Sequence, residues 1–72
     1  MKYTITIRYK RGILDNAGRA TAHALNSIGF KGVTSVRIGK IITLDCEPNQ
    51  IELIAKQITN SVMEDYKIDL LQ

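Results

Sequence analysis

Cysteine is almost absent from this chain of 72 residues, in which Cys46 is the only one. A single cysteine excludes an internal disulfide framework and any metal site built from several cysteines. A chain of this length is one domain at most, so we expect residues 1–72 to form a single domain. So short a chain buries only about 60% of its unfolded surface. A small core supplies little stability, and in the absence of a disulfide such chains usually gain the rest by oligomerisation, which we predict here.

Long apolar runs are also missing, since no stretch of purely apolar residues exceeds three. A membrane-spanning helix needs about 20 predominantly apolar residues, so none is expected. The first ten residues, MKYTITIRYK, alternate apolar and polar side chains and lack the apolar core of a signal peptide. These absences and the lone cysteine favour a reducing, cytoplasmic location.

Residues that carry catalysis are scarce. His23 is the only histidine and lies in the middle of a predicted helix, where a surface position is the expected one. Cys46 falls on the apolar side of a predicted strand, which favours an inert core thiol. The sequence contains no phosphate-binding loop and no paired histidine motif. We therefore expect no catalytic residue, no bound cofactor and no metal site on this chain.

The charges are distributed unevenly around a net value of +3. Residues 1–40 hold eight of the ten basic residues and one acid, Asp15, whereas residues 41–72 hold six acids and two bases. Such asymmetry fits nucleic-acid binding. The more ordinary explanation, which we prefer, is a fold in which the two halves pair within one chain or between subunits.

Four segments alternate apolar and polar residues with period two, which indicates strands with one buried face. Their apolar positions are Tyr3, Ile5, Ile7 and Tyr9; Val36 and Ile38; Ile42, Leu44 and Cys46; and Tyr66, Ile68 and Leu70. Gly39 and Lys40 separate the second strand from the third. A two-residue loop that begins with glycine is typical of a type II′ hairpin, so we expect a positive φ at Gly39.

Two helices are predicted between these strands. Asp15 is a suitable N-cap for a helix that begins near Asn16. Gly29 can adopt the left-handed backbone conformation that commonly ends a helix. Pro48 and Asn49 open the second helix. The predicted apolar faces are Ala17, Ala20 or Thr21, Ala24, Leu25 and Ile28 in the first helix, and Ile51, Ile54, Ala55, Ile58 and Val62 in the second.

The order of these elements predicts an α+β fold, the ferredoxin-like βαββαβ sandwich. Right-handed crossovers give a four-stranded antiparallel sheet with two helices on one face. This connectivity brings the basic loop 10–12, the start of the first helix and residues 37–40 to one end of the sheet, together with Glu64 and Asp65. That end is either an ordinary solvated rim or a site for an anion or a partner, assisted by the helix dipole.

The residues themselves leave several functions open, among them a regulatory module that binds a small ligand, as ACT-like folds do. Nucleic acid is less favoured, because ferredoxin-like RNA-binding domains stack bases on aromatic side chains of the central strands. The exposed positions of the first and third strands are Thr4, Thr6, Arg8, Thr43 and Asp45, and none is aromatic. The threonines, with Ile41 and Leu71, form a weakly polar sheet face suited to packing on a second copy.

Three stretches in this order carry a resemblance: GILDNAGRATAHALNSIGF, VTSVRIGKIITL and NSVMEDYKIDL. Over nearly the whole chain they resemble the PurS family, a subunit of phosphoribosylformylglycinamidine synthase. The family pattern has Leu-Asp-Pro-x-Gly before the first helix, then Val-Arg-x-Gly-Lys, and finally Asn-Pro-Val-x-Glu-Asp-Tyr. Asn16 and Ser61 stand where the family usually has proline. Neither departure removes a chemical group.

The resemblance implies a subunit without an active site of its own. Such subunits form homodimers or higher oligomers and bridge the large ATP-dependent synthetase subunit, PurL, and the glutaminase subunit, PurQ. The complex uses ATP, magnesium and glutamine to make formylglycinamidine ribonucleotide in purine biosynthesis, and the small subunit supports ammonia transfer. We predict a partner interface of Lys10, Arg11, Arg37, Gly39 and Lys40, with Asp15 and Gly18 at the helix entry. For Arg37, Gly39 and Lys40, the prediction combines the shared motif with the convergence of charge.

Overall fold

The fold is seen in a computed structural model that describes residues 1–71. Along the chain it contains β1 (Lys2–Tyr9), α1 (Asn16–Ser27), β2 (Lys40–Asp45), α2 (Ile51–Ile58) and β3 (Glu64–Leu70). The three strands form one antiparallel sheet of order β2-β1-β3. None of the helices in this part of the chain is both long enough and apolar enough to cross a membrane.

The core lies between the sheet and α2. Ile5 pairs with Ile42 on one side and Ile68 on the other, so three branched side chains share one face of the sheet. From α2, Ile51 and Ala55 are buried against this face. The Tyr66 hydroxyl donates to Glu52 Oε2 at 3.0 Å, which ties β3 to α2 and raises the pKa of Tyr66. The buried core residues are Tyr3, Ile5, Ile7, Ile51 and Ala55.

Most predicted elements are confirmed. Asp15 caps α1, which begins at Asn16, and Gly29 follows the end of the helix with φ +114°. His23 is exposed, and Cys46 is partly buried against the core. The second helix is shorter than its predicted apolar face, because α2 ends at Ile58 and Val62 lies in the turn that precedes β3.

The second predicted strand, at Val36 and Ile38, is not paired, and the part of the chain that the structure describes has three strands instead of four. The predicted hairpin at Gly39 and Lys40 is wrong, because Gly39 has no positive φ. Instead, the backbone N–H of Ile38 donates to Asp15, which ties residues 36–39 to the start of α1. The segment therefore does not fold back along β2, and β2 keeps an open edge.

Residues 10–39, which we call the arm, leave the sheet with much of their apolar surface uncovered. On the predicted apolar face of α1, Ala17, Ala20 and Ala24 are exposed, and 73% of Ile28 is accessible. The chain extends over 47 × 28 × 13 Å with a radius of gyration of 15.4 Å. A compact domain of this length has a radius of about 11 Å. In a single chain, apolar side chains of the arm therefore remain exposed that a compact domain would bury.

Candidate functional site

Asp15 holds the base of the arm together. One carboxylate oxygen accepts from the Gly18 N–H at 2.8 Å and the other accepts from the Ile38 N–H at 2.7 Å. The residue is 4% exposed. The hydrogen bond from Ile38, followed by the one from Gly18, lowers the pKa of Asp15 below its usual value, and the nearby charge of Arg37 contributes in the same direction. Asp15 thus caps α1 and bridges it to residues 36–39, and each of its carboxylate oxygens already accepts a hydrogen bond from the backbone.

Gly18 and Gly39 permit close backbone contacts on either side of this bridge. A Cβ added at Gly18 would collide with the carbonyl oxygen of Val36. A Cβ added at Gly39 would lie 2.6 Å from the carbonyl oxygen of Ile7. Both positions require glycine for space and not for a positive φ. These two glycines position residues 36–39 against α1 and β1.

Beside this bridge lies an open cleft of about 940 Å³ between the end of β1 and residues 35–41. We call it the basic cleft and define it by the four cationic side chains that line it: Arg8, Arg11, Arg37 and Lys40. None of the described residues that line it carries a carboxylate. The Arg37 guanidinium lies 3.4 Å from the carbonyl oxygen of Lys10 and 3.5 Å from that of Tyr9, two long contacts that keep it at the rim.

The seven residues predicted at a partner interface fall into three groups. Arg11, Arg37, Gly39 and Lys40 line the basic cleft. Asp15 and Gly18 do not line the cleft and belong to the bridge beside it. Lys10 points elsewhere, since its Nζ lies 3.6 Å from Asp65 Oδ1. The structure therefore brings Arg11 together with Arg37 and Lys40 but directs the Lys10 side chain toward Asp65.

Arg8 is the cleft residue that sequence reasoning missed as a site residue. It was recognised as an exposed position of the first strand, and the alternation around it gave no sign of a site. The signal that was available is the position of Arg8 near the C-terminal end of β1, which the predicted topology places at the same end as Arg37 and Lys40. In residues 1–71, no group of three or more histidine, cysteine or acidic side chains is arranged to hold a metal ion.

Comparison with known proteins agrees with this architecture. The family described as PurS, phosphoribosylformylglycinamidine (FGAM) synthase, matches residues 2–72. The PurS subunit of the Bacillus subtilis synthase is 33% identical over 96% of this chain and 90% of its own. A structure of Bacillus subtilis PurS superposes with a TM-score of 0.89 at 29% identity, covering 99% of this chain and 98% of that one.

A second structure gives the same result. PurS of Methanocaldococcus jannaschii superposes with a TM-score of 0.82 at 33% identity, covering 94% of this chain and 92% of that one. That protein is described as one of the subunits of formylglycinamide ribonucleotide amidotransferase in the purine biosynthetic pathway. Sequence and structure agree over nearly the full length, and the chain belongs to the PurS family, the small subunits of phosphoribosylformylglycinamidine synthase.

Proposed function

We propose that this chain is a non-catalytic, cytoplasmic assembly subunit of phosphoribosylformylglycinamidine synthase. It bridges the synthetase subunit PurL and the glutaminase subunit PurQ and supports the passage of ammonia between them. The observation that carries the proposal is the open, elongated chain, whose arm exposes apolar surface and whose sheet has a free edge. Such a chain gains its remaining stability from partners. ATP and magnesium act on PurL, and this chain binds no cofactor of its own.

Omitting the chain from a reconstituted synthase tests this function. PurL and PurQ from the same source, with ATP, magnesium and glutamine, should form formylglycinamidine ribonucleotide only when this chain is added. Ammonium chloride should support the reaction in its absence, because the chain serves delivery of ammonia and not the amidation itself. An equal glutamine-dependent rate with and without the chain would contradict the proposal.

The first partner that we propose is a second copy of the chain. The second predicted strand, residues 35–38, is unpaired in a single chain, and the edge of β2 is open. If the arm of one copy lies along β2 of the other, each copy completes the four-stranded sheet of its neighbour. This is a reciprocal exchange of an element between identical chains, a common route to dimers. It also covers the exposed side chains of the arm, such as Ile28 and Phe30.

The hydrogen-bonding pattern of β2 indicates which of its groups are free for this pairing. Met1 and Cys46 exchange both backbone hydrogen bonds, since Cys46 N donates to Met1 O and Met1 N donates to Cys46 O, each at 2.9 Å. Hydrogen-bonded and non-hydrogen-bonded pairs alternate along an antiparallel ladder. From the register of β1 and β2, the N–H and C=O groups of Ile41, Thr43 and Asp45 therefore point outward.

Thr43→Pro should convert the dimer to a monomer. Proline removes an outward N–H that the second copy needs, while the pairing of β2 with β1 keeps its own hydrogen bonds. Thr43→Val keeps the N–H and should remain dimeric. Multi-angle light scattering gives the mass, and circular dichroism checks that the strands are retained. A Thr43→Pro protein that is folded and still dimeric would show that the edge of β2 is not the dimer contact.

A further inference from the structure

The edge of β3 is the second free edge of the sheet, and the proposed dimer leaves it open. Among the residues that the structure describes, β3 pairs with β1 alone, on the side away from β2. Its ladder with β1 is continuous from the pair of Tyr9 with Glu64 to the pair of Tyr3 with Leu70, and the strand contains no proline. Bulges and proline commonly keep an edge strand from pairing with another chain, and charged side chains are the remaining protection. The charges of β3 therefore decide what can pair with it.

Alternate residues of β3 carry the free backbone groups. Lys10 N donates to Met63 O, and Leu71 N donates to Lys2 O, each at 2.8 Å, so these residues belong to hydrogen-bonded pairs of the β1–β3 ladder. Because hydrogen-bonded and non-hydrogen-bonded pairs alternate, every second residue of β3 directs its N–H and C=O away from β1. These outward residues are Glu64, Tyr66, Ile68 and Leu70. A strand that adds to this edge must form its hydrogen bonds with them.

We propose that β3 pairs in antiparallel fashion with β3 of a second copy, with Ile68 opposite Ile68, and so joins one dimer to the next. The contact goes beyond the proposed dimer, which uses the edge of β2. A register centred on Lys67 would give the longest overlap, but it sets Lys67 against Lys67 and Asp65 against Asp69, and like charges directly opposite are destabilising. Moving the centre to Ile68 sets Lys67 of each copy against Asp69 of the other. In this register the charges of β3 are complementary to a second β3.

Lys67 and Asp69 are available for this contact. Both side chains are exposed, and within one chain the Lys67 Nζ lies 3.9 Å from Asp69 Oδ1, which is long for an ion pair. An exposed pair of this kind contributes little to stability, so little is lost when each side chain turns toward the other copy. A register centred on Tyr66 would also set opposite charges together, but it needs Asp65, which already lies 3.6 Å from Lys10 Nζ.

Apolar side chains on the other face of the sheet favour the same register. With Ile68 at the centre, Tyr66 of one copy lies opposite Leu70 of the other, and Leu70 is 46% exposed in a single chain. Pairs of aromatic and aliphatic side chains across two strands stabilise a sheet. With Tyr66 at the centre, Leu70 would instead lie opposite Val62, which precedes the strand. The contact spans only Tyr66 to Leu70, so we expect a dimer in dilute solution and larger assemblies at high concentration.

Sedimentation velocity of the full chain, from micromolar to millimolar concentration, tests this contact. The wild-type mass should rise from that of a dimer to multiples of it, because each dimer carries two such edges. Lys67→Asp and Asp69→Lys change the net charge in opposite directions, yet each sets like charges against one another and should raise the Kd for the joining of dimers at least about fivefold. The double variant, Lys67→Asp with Asp69→Lys, restores both opposite-charge pairs and should return the Kd to within about twofold of wild type.

Disulfide trapping in a Cys46→Ser background tests the register. Residues 67 and 69 of two copies would form non-hydrogen-bonded pairs, whose Cα atoms lie about 4.5 Å apart and within reach of a disulfide. Lys67→Cys protein mixed with Asp69→Cys protein should therefore cross-link on oxidation, whereas either protein alone should not. A mixture that cross-links no more than the separate proteins would overturn the register.

Other results would overturn the contact itself. One is a wild-type mass that does not rise with concentration, and another is a double variant that associates no better than the single variants. A third is loss of PurL or PurQ binding in the single variants with self-association unchanged, since a larger subunit would then occupy the edge. Failure of the proposed β2 dimer looks different. In that case the single variants would be monomers in dilute solution, and Thr43→Pro would remain a dimer held by β3.

Discussion

Gly18→Ala is expected to destabilise the protein by at least about 2 kcal/mol, although alanine is the better helix former. In an ordinary exposed helix position the same change gains up to about 1 kcal/mol. Here the added methyl group would overlap the carbonyl oxygen of Val36 and lie 2.9 Å from Asp15 Oδ2. Neither atom belongs to a flexible end of a side chain, because Val36 contributes its backbone and Asp15 is fixed by two hydrogen bonds. The free-energy cost of this steric overlap therefore exceeds the gain from the higher helix propensity of alanine.

Urea denaturation followed by circular dichroism measures this effect, with all proteins at one concentration because the stability of the proposed dimer would depend on it. Gly32→Ala is the matched control, since an added Cβ there meets nothing within 4 Å and the residue has no positive φ. It should change the midpoint little. A Gly18→Ala protein that is as stable as the Gly32→Ala protein would mean that residues 36–39 do not pack against the start of α1.

Asp15→Asn is expected to lower the melting temperature at neutral pH by several degrees, with the difference from wild type shrinking in acid. Asparagine keeps the shape, but its amide NH₂ must face one of two N–H donors that the carboxylate satisfies, those of Gly18 and Ile38. The pKa of Asp15 is lowered in the folded protein, so its contribution to stability is complete above the usual value of 3.8 and is lost as the pH falls through the folded pKa.

Melting curves at pH 7, 5, 4 and 3 follow this difference. Asp69→Asn is the control, because Asp69 is exposed and its oxygen lies 3.9 Å from the Lys67 ammonium, which makes the pair weak. It should show almost no difference from wild type at neutral pH. A gap between wild type and Asp15→Asn that stays constant down to pH 3 would show that the ionised carboxylate does not hold the bridge.

The sequence was most informative where local chemistry decides the structure. The alternation around Ile5 and Ile7 predicted β1, and Asp15 predicted the start of α1, because a strand face and an N-cap are both set by neighbouring residues. The end of α2 was less certain. Val62 continues the apolar spacing of that helix, but the chain turns after Ile58, and the Asn60 side chain accepts from the N–H groups of Val62 and Met63.

The second predicted strand, at Val36 and Ile38, shows where reasoning from neighbouring residues failed. Gly39 followed by Lys40 has the residue pattern of a tight hairpin, but the same glycine also permits close packing against β1, where an added Cβ would lie 2.6 Å from the Ile7 carbonyl oxygen. The choice between these uses depends on Asp15, which lies 23 residues before Ile38 and binds its N–H. A contact at that separation leaves no local pattern. The charged residues of the site were predicted only in part. The predicted topology placed Arg37 and Lys40 correctly at one end of the sheet, but it did not show that the Lys10 side chain turns away from them toward Asp65.

The place of β1 in the sheet also determines when this protein can fold during its synthesis. β1 is the first strand to leave the ribosome, yet both of its neighbours come later, β2 from residues 40–45 and β3 from residues 64–70. Contacts of such long sequence separation form slowly, because the loops between them must first be closed. Tyr3 pairs with Leu70, so the central strand gains its second neighbour only after β3 has been made. The sheet of this small subunit is therefore completed only after β3 has been synthesised, and β1 remains unpaired on that side until then.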